Sequence, residues 1–287
     1  MPRSSYVVGD GSLIVSNGHG VELAIWTLPG DAVPEFLLVH GLAPNARLWD
    51  GVARGLHANG HGVVSLDLRG HGLSAKPSDG FDFETMTADL AGLIATRMTA
   101  PVVAAGQSFG GNLVIELAAR YPDLVSGVVC VDGGFVDLKG AWPDWDEALQ
   151  LLTPPSLENL RGDALAGRGA EHYPGWPAEG VAAQLANLEV LADGTVRRRL
   201  SLENHLRILR AMWEQSPAEV ATRVKVPVLI LFAENGPPRH PAQVDKFAAG
   251  LAKSRVIHMP GHHDLHAEQP DNVVDEITNG LKDGFLQ

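Results

Sequence analysis

The chain has 287 residues, of which 45% are hydrophobic and 20% are charged, an ordinary composition for a globular protein in water. This length fits one large α/β domain with an insertion as well as it fits two small domains. The net charge of −12 disfavours nucleic acid and anionic membrane surfaces as partners.

The N-terminus and the cysteine content bear on the cellular compartment that we expect for the protein. The first residues (1–6) contain no apolar core of a signal peptide, and no apolar run approaches membrane-spanning length. The single cysteine, Cys130, lies in an apolar run, which predicts a buried residue and excludes an intrachain disulfide. We therefore expect a cytoplasmic protein, monomeric or homodimeric, without a membrane partner.

Apolar and helical segments alternate along most of the chain. Residues 13–16 and 21–28 read as an antiparallel hairpin that opens the fold. The strands and helices predicted after it lie at 35–40, 48–59, 62–67, 84–98, 102–106, 109–121 and 127–132, and again at 226–233, 241–253, 254–259 and 271–284. Such alternation indicates a mostly parallel, doubly wound α/β sheet with crossover helices.

One turn in this series has a distinctive sequence, Gly106-Gln107-Ser108-Phe109-Gly110-Gly111. It follows an apolar strand and precedes a helical pattern. Glycines two residues before and after Ser108 permit a strained strand-to-helix turn, where bulkier side chains would collide. Such a turn lifts the serine hydroxyl above the sheet edge and favours a nucleophile. A glycine-rich turn that merely contains a serine is the alternative.

Three further motifs accompany the turn. His40-Gly41 follows the apolar run 36–39, residues 67–74 read D-x-R-G-H-G-x-S, and residues 261–270 contain histidines before an E-x-P sequence. With four motifs in this order, the chain resembles the α/β-hydrolase superfamily over residues 20–285. The resemblance implies a cofactor-independent hydrolase that holds no metal.

Residues 135–217 interrupt the alternation with helix-forming patches broken by prolines. The resemblance implies a helical cap inserted between the sixth and seventh strands, with the hydrolase core at 1–134 and 218–287. A cap over the carboxyl ends of the strands would roof the site. Three of its tryptophans are predicted to contact the substrate, namely Trp142, Trp176 and Trp213. Together with Trp145 they could equally form a small core of the cap.

A serine nucleophile needs a base, and three histidines near the C-terminus could supply it. The family pattern places the catalytic histidine five residues before the glutamate of E-x-P, which is Glu268, and this selects His263. His262 allows a shift of one residue, and His266 is expected to support the loop. Because His262 and His266 have the i, i+4 spacing of helical metal ligands, a metal site is the less favoured alternative to a catalytic base.

The third member of a triad is a carboxylate that orients the imidazole. Many relatives carry it after the seventh strand, but this chain has Gly236 there. A subset of the superfamily, including haloalkane dehalogenases and zearalenone-type lactonases, places the acid after the sixth strand, where this chain has Asp132. We therefore predict Asp132 as the acid, with Glu234 as the reserve candidate and a turn-capping carboxylate as the alternative role of Asp132.

The resemblance also assigns an oxyanion hole to the backbone N–H groups of Leu42 and Phe109. His40 is expected to be structural. The polar side chains of the D-x-R-G-H-G-x-S motif are expected to brace a loop; they belong to Asp67, Arg69, His71 and Ser74.

These residues predict a serine hydrolase that cleaves apolar carboxylic esters or lactones through an acyl-enzyme. A serine in the strand-to-helix turn at residues 106–111 (the serine elbow) disfavours dehalogenase and epoxide-hydrolase chemistry, which need a carboxylate nucleophile. Carbon–carbon bond hydrolysis and cofactor-free perhydrolysis remain alternatives on the same scaffold. A slow-turnover ligand receptor of this fold is the rival from another class, since fold does not fix function.

Overall fold

The computed structural model describes residues 13–18, 21–235 and 241–286. Eight strands form one sheet in the order β1-β2-β4-β3-β5-β6-β9-β10, in which only the β1–β2 and β2–β4 pairs are antiparallel. The strands are β1 (Leu13–Gly18), β2 (Val21–Leu28), β3 (Ala32–Val39), β4 (His61–Leu66), β5 (Val102–Gln107), β6 (Val125–Val131), β7 (Leu188–Val190), β8 (Val196–Arg198), β9 (Val228–Ala233) and β10 (Ser254–Met259). The predicted mostly parallel, doubly wound sheet is confirmed.

Helices follow most of the parallel strands. They are α1 (Asp50–Ala58), α2 (Phe83–Arg97), α3 (Phe109–Arg120), α4 (Leu138–Ala141), α5 (Trp145–Leu152), α6 (Gly162–His172), α7 (Ala178–Leu185), α8 (Leu202–Glu214), α9 (Pro217–Ala221), α10 (Pro241–Gly250), α11 (Leu265–Glu268) and α12 (Pro270–Lys282), with a short 3₁₀ turn at Ala46–Trp49 before α1. Within these residues no helix is long and apolar enough to cross a membrane.

Both faces of the sheet are covered by helices. One face packs against α1 and α12, and the other packs against α2, α3 and helices of the segment after β6. Every residue of β4 and β5 is buried, because a parallel strand covered on both sides contributes its odd and even side chains to two cores. Cys130 on β6 is fully buried, as predicted.

The strand register brings three strand ends level with one another. The pairing of β3 with β5 ends at Val39 opposite Gly106, and the pairing of β5 with β6 ends at Gln107 opposite Val131. Between β3 and β5 the order of the strands reverses, which is where open α/β sheets bind ligands, at the carboxyl ends of the strands. The residues that follow Val39, Gln107 and Val131 therefore meet at this crevice.

The segment between β6 and β9 contains α4 to α9 and the small antiparallel pair β7–β8. Three of its helices, α4, α5 and α8, begin at side-chain caps; Ser201, for example, accepts the N–H of Asn204 at 3.2 Å before α8. The β7–β8 pair was not anticipated, since strands of three residues are too short to show a period of two. Near the predicted boundary at residue 217, α9 packs against α3 and α10 of the core.

Candidate active site

Ser108 lies at the apex of the turn between β5 and α3. Its backbone has φ 53° and ψ −119°, a conformation that L-residues rarely adopt and that usually marks a functional site. The flanking glycines are sterically required: a Cβ at Gly106 would lie 2.2 Å from the carbonyl oxygen of Gly110, and one at Gly110 would lie 2.4 Å from the carbonyl oxygen of His40. The glycine spacing thus has the physical role that the sequence predicts.

Asp132 directly follows β6 and is also strained, with φ 43°. Ser108 and Asp132 are the two non-glycine residues with positive φ in the part of the chain that the structure describes. The next residue, Gly133, packs on the serine, since a Cβ there would lie 2.5 Å from the backbone nitrogen of Ser108. Strain at both positions costs on the order of 1–3 kcal/mol each and is retained where the two strand ends meet.

His263 is brought to Asp132 by the loop that follows β10 (residues 260–264, the β10 loop). Its Nδ1 lies 2.6 Å from Oδ2 of Asp132, and the aspartate side chain is fully buried while that of His263 is 31% exposed. The backbone N–H of Ala233 donates to the other carboxylate oxygen, Oδ1, at 3.3 Å. Both oxygens of the carboxylate are therefore fixed, and one of them faces the imidazole.

The two neighbouring histidines lie in different surroundings. The side chain of His262 is 67% exposed, and its Nδ1 lies 3.0 Å from Oε1 of Glu268. His266 is fully buried, with its ring 4.4 Å from that of Trp49. A cluster of three or more side chains able to hold a metal is absent from residues 13–18, 21–235 and 241–286.

The reserve acid, Glu234, follows β9 and is exposed to solvent. Its backbone N–H donates to the carbonyl oxygen of Met259 at 3.0 Å, which ties the ends of β9 and β10 together. Gly236, on which the argument against an acid after this strand depends, lies outside the described residues.

Replacement of the two adjacent histidines should separate their roles. We expect His263→Ala to remove nearly all activity, because His263 contacts Asp132, and His262→Ala to retain substantial activity, because His262 pairs with Glu268 at the surface. Initial rates of both variants on one activated ester provide the measurement. An inactive His262 variant beside an active His263 variant would show that the base is assigned one residue too late.

The loop after β3 (residues 40–45, the β3 loop) contacts the serine. A Cβ at Gly41 would lie 3.4 Å from Cβ of Ser108. Nε2 of His40 accepts the N–H of Leu68 at 3.0 Å, so Nδ1 carries the proton and donates to the carbonyl oxygen of Gly41 at 2.8 Å. That carbonyl belongs to the same peptide unit as the N–H of Leu42. His40 therefore orients the amide that the sequence assigns to the oxyanion hole.

The second assigned donor is the N–H of Phe109. Phe109 is the first residue of α3, and the first amides of a helix have no acceptor within the helix. The positive end of the helix dipole adds to their attraction for a developing negative charge. The phenyl ring is 1% exposed and stacks edge to face on Phe83 at 5.6 Å.

Asp67 and Ser74 brace the loop after β4. The two carboxylate oxygens of Asp67 accept the backbone N–H groups of Ala46 at 2.9 Å and of Leu73 at 2.7 Å. The hydroxyl of Ser74 accepts the N–H of Ala24 at 2.8 Å. These contacts are to backbone groups of neighbouring loops and strands, which agrees with the expected scaffold role.

Arg69 and His71 complete that motif. Arg69 forms a buried ion pair with Asp89, with Nε 2.5 Å from Oδ2. The ring nitrogens of His71 lie 2.8 Å from the carbonyl oxygen of Arg69 and 2.7 Å from that of Leu42. His71 thus supports the β3 loop from behind.

The tryptophans that were predicted to contact substrate lie in two groups. Nε1 of Trp213 donates to the carbonyl oxygen of Trp142 at 2.8 Å, and its ring packs edge to face on Trp145 at 5.7 Å. Trp176 lies elsewhere, 4.7 Å from the ring of Tyr173. The first group resembles the small core that was considered as the alternative, and substrate contact by these residues stays a prediction.

Gln107, the residue before the serine, was not singled out from the sequence. It is 1% exposed, and its Nε2 donates to the carbonyl oxygen of His263 at 3.1 Å. Its Oε1 would lie 2.5 Å from a Cβ at Gly41. One buried amide therefore reaches both the β3 loop and the β10 loop. A glutamine at a strand end gives no sequence signal for such contacts. Its place next to Ser108 in the motif indicates only that it lies near the serine.

Buried histidines should make the protein acid-sensitive. Burial lowers the pKa of His40 to about 4 and the pKa values of His71 and His266 to about 3. The unfolded values lie near 6.5, so each histidine gains one proton on unfolding between its folded pKa and pH 6.5, and its contribution is lost as the pH falls through that window. Burial raises the pKa of Asp50 to about 7, which acts in the opposite direction between pH 3.8 and 7.

Burial also lowers the pKa of His205 and raises that of Asp67. Because the histidines with lowered pKa values outnumber the carboxyl groups with raised ones, unfolding takes up protons near pH 5, and the free energy of unfolding falls as the pH is lowered. Urea unfolding at pH 6.5, 5.5 and 4.5 measures this slope. In His266→Leu the slope should decrease by about one proton. Stability that is constant over this range would contradict the assignment of neutral, buried imidazoles.

Comparison with known proteins agrees with this fold. The family model described as "alpha/beta hydrolase fold" matches residues 34–269. A 2-(acetamidomethylene)succinate hydrolase of Mesorhizobium japonicum is 28% identical over 251 residues, covering 86% of this chain and 87% of the relative. A pimeloyl-[acyl-carrier protein] methyl ester esterase of Neisseria meningitidis is 28% identical over 240 residues, covering 80% and 86%.

The solved structures include an E-2-(acetamidomethylene)succinate hydrolase with a TM-score of 0.79 and 25% identity, covering 95% of this chain and 99% of that one. The strand order, the serine elbow and these matches define one class of protein. The chain belongs to the α/β-hydrolase family.

Proposed function

We propose that this protein is a serine hydrolase that cleaves carboxylic esters or lactones through an acyl-enzyme, with Ser108, His263 and Asp132 as its catalytic triad. The observation that carries the proposal is the 2.6 Å contact between Nδ1 of His263 and Oδ2 of the fully buried Asp132, beside a strained serine elbow. A buried aspartate that holds an imidazole through Nδ1 leaves Nε2 as the proton acceptor.

In this mechanism Nε2 of His263 removes the hydroxyl proton of Ser108 as Oγ attacks the acyl carbon. The tetrahedral intermediate collapses when the same imidazolium returns the proton to the leaving alcohol, or to the ring oxygen of a lactone. Water then attacks the acyl-enzyme by the same route, and the carboxylic acid leaves. Asp132 stays ionised throughout, fixes the imidazole tautomer and stabilises the imidazolium.

The developing oxyanion binds to the backbone N–H groups of Leu42 and Phe109. The His40 bond to the carbonyl of Gly41 orients the first donor, and the start of α3 orients the second. One such donor is typically worth about 3 kcal/mol of transition-state stabilisation. The chemistry needs no cofactor or metal, since the serine, the base and the oxyanion donors supply every step.

Esters and lactones are favoured as the substrate class because a serine nucleophile suits attack at an acyl carbon. The relatives support hydrolysis in general, and one of them is named as a methyl ester esterase. We propose a small apolar ester or lactone, with Trp142, Trp176 and Trp213 as candidate contacts to its apolar part.

A substrate panel on the purified wild-type protein tests this function. Activated esters, lactones, an enamide of the acetamidomethylene type and a dienoate-type diketone are compared by kcat/KM, and a serine-reactive fluorophosphonate is used as a competitor. Esters or lactones should be turned over repeatedly and should protect the protein from the probe. A stoichiometric long-lived adduct would favour a receptor, and preference for the diketone would favour carbon–carbon bond hydrolysis.

A further inference from the structure

Helix α7 of the inserted segment contacts both loops that surround the serine. Nε2 of Gln184 donates to Oδ2 of Asp264 at 3.0 Å, and Asp264 is the residue after His263 in the β10 loop. At the other end, Nδ2 of Asn45 in the β3 loop donates to the carbonyl oxygen of Ala183 at 2.9 Å. One short helix therefore bonds to the loops that provide the proposed base and the proposed oxyanion donor.

These bonds form a continuous series of side chains. Nδ2 of Asn45 also donates to Oδ1 of Asn187 at 2.5 Å, and Nδ2 of Asn187 donates to Oε1 of Gln184 at 2.9 Å. Gln184 then continues the series to Asp264. Each amide uses its oxygen as an acceptor and its nitrogen as a donor, so the order from Asn45 through Asn187 and Gln184 to Asp264 has one direction of donation.

Close packing keeps α7 against the core. A Cβ at Gly180 would lie 2.9 Å from the carbonyl oxygen of Ala267 in α11, so the helix approaches α11 at a distance that glycine permits. Ala183 is fully buried and packs with Leu48 and Ala267. Gly180 and Gln184 are four residues apart and therefore lie on one face of the helix, and Asn187 follows just after the helix ends at Leu185. That face is the one turned to the catalytic loops.

The β10 loop is also held by a second side-chain amide. Nε2 of Gln107 donates to the carbonyl oxygen of His263, while Gln184 holds the side chain of Asp264. Two amides, one from the elbow and one from the inserted segment, therefore fix adjacent residues of this loop. Displacement of reacting groups by about 1 Å can lower a rate about a hundredfold, so contacts of this kind affect catalysis without touching substrate.

We propose that Gln184 and Asn187 are positioning residues and that α7 fixes the separation between the β3 loop and the β10 loop. The inference rests on the proposed function for its catalytic consequence. Its structural content, the coupling of the two loops through α7, is independent of the reaction.

The test replaces one amide and then reverses the bond. Gln184→Glu places a carboxylate against Asp264, and the repulsion should push α7 away from the β10 loop and disturb the β3 loop, which is bonded to α7 and to Asn187 through Asn45. Adding Asp264→Asn should restore the contact, because the asparagine amide donates to the new carboxylate, which still accepts from Asn187. Gln150→Glu, the same change at an exposed position of α5, is the matched control.

Hydrogen–deuterium exchange of the full-length protein is the first measurement. In Gln184→Glu we expect faster exchange in both loops, and in the double variant and Gln150→Glu a pattern like that of the wild type. Exchange in Gln184→Glu that equals the control would overturn the proposal. Loosening that the second substitution fails to reverse would also overturn it, because that result indicates general damage to the fold.

Catalysis is the second measurement. Gln184→Glu should lower kcat about tenfold with a smaller change in KM, since the reacting groups are misplaced and the substrate pocket is retained. The added negative charge should shift the acidic limb of the kcat profile to higher pH, and the double variant should return it. An unchanged kcat would contradict the positioning role, whereas an unlabelled Ser108 in the wild type would refute the proposed function and leave the exchange result interpretable.

Discussion

Ser108→Ala should lower kcat by about six orders of magnitude, the loss expected when the nucleophile of a serine hydrolase is removed. The variant lacks the atom that forms the acyl-enzyme, and the remaining oxyanion donors support only weak catalysis by water. The fold should be preserved, because the hydroxyl contributes little packing and alanine meets the same backbone strain at φ 53°.

Thermal unfolding and substrate affinity should therefore match the wild type while turnover disappears. Ser156→Ala, at an exposed position of the inserted segment, is the control for loss of a hydroxyl and should leave kcat unchanged. Activity above a trace in Ser108→Ala, with normal affinity, would refute the nucleophile.

Asp132→Asn should lower kcat by about four orders of magnitude. The structure indicates why the amide is so harmful. Because the N–H of Ala233 donates to Oδ1, an asparagine keeps its carbonyl oxygen there and turns its NH₂ group toward Nδ1 of His263. The ring must then accept at Nδ1 and carry its proton on Nε2, which is the tautomer that cannot remove the serine proton.

Glu234→Gln serves as the matched comparison, since it makes the same carboxylate-to-amide change at an exposed residue after β9. We expect a much smaller effect on kcat with the same activated ester. A severe defect in Glu234→Gln beside a mild one in Asp132→Asn would return the acid to the end of β9.

The sequence predicted the strands and the tight turn at Ser108 well, because short stretches of neighbouring residues determine these features. The two glycines around Ser108 mark backbone that passes within 2.4 Å of where a side chain would begin, and no other residue type fits. The apolar runs of β4 and β5 become fully buried strands. The fold class is confirmed, and the contact between His263 and Asp132 agrees with the residues chosen for the triad.

Contacts between distant segments that no sequence motif marks were not predictable. The contacts of Gln107 with His263 and of Gln184 with Asp264 join residues that nothing in the sequence connects. The contacts of the tryptophans were not predictable for the same reason. The sequence gives their number in the inserted segment, but packing decides that Nε1 of Trp213 bonds to the carbonyl oxygen of Trp142.

The most direct test of the account is to locate the covalent adduct. The wild-type protein is treated with a fluorophosphonate, digested, and mapped by peptide mass spectrometry, with His263→Ala treated in parallel. We predict one phosphonyl group on Ser108 in the wild type and greatly slowed labelling in His263→Ala. Modification of a different residue while Ser108 stays free would contradict the proposed mechanism.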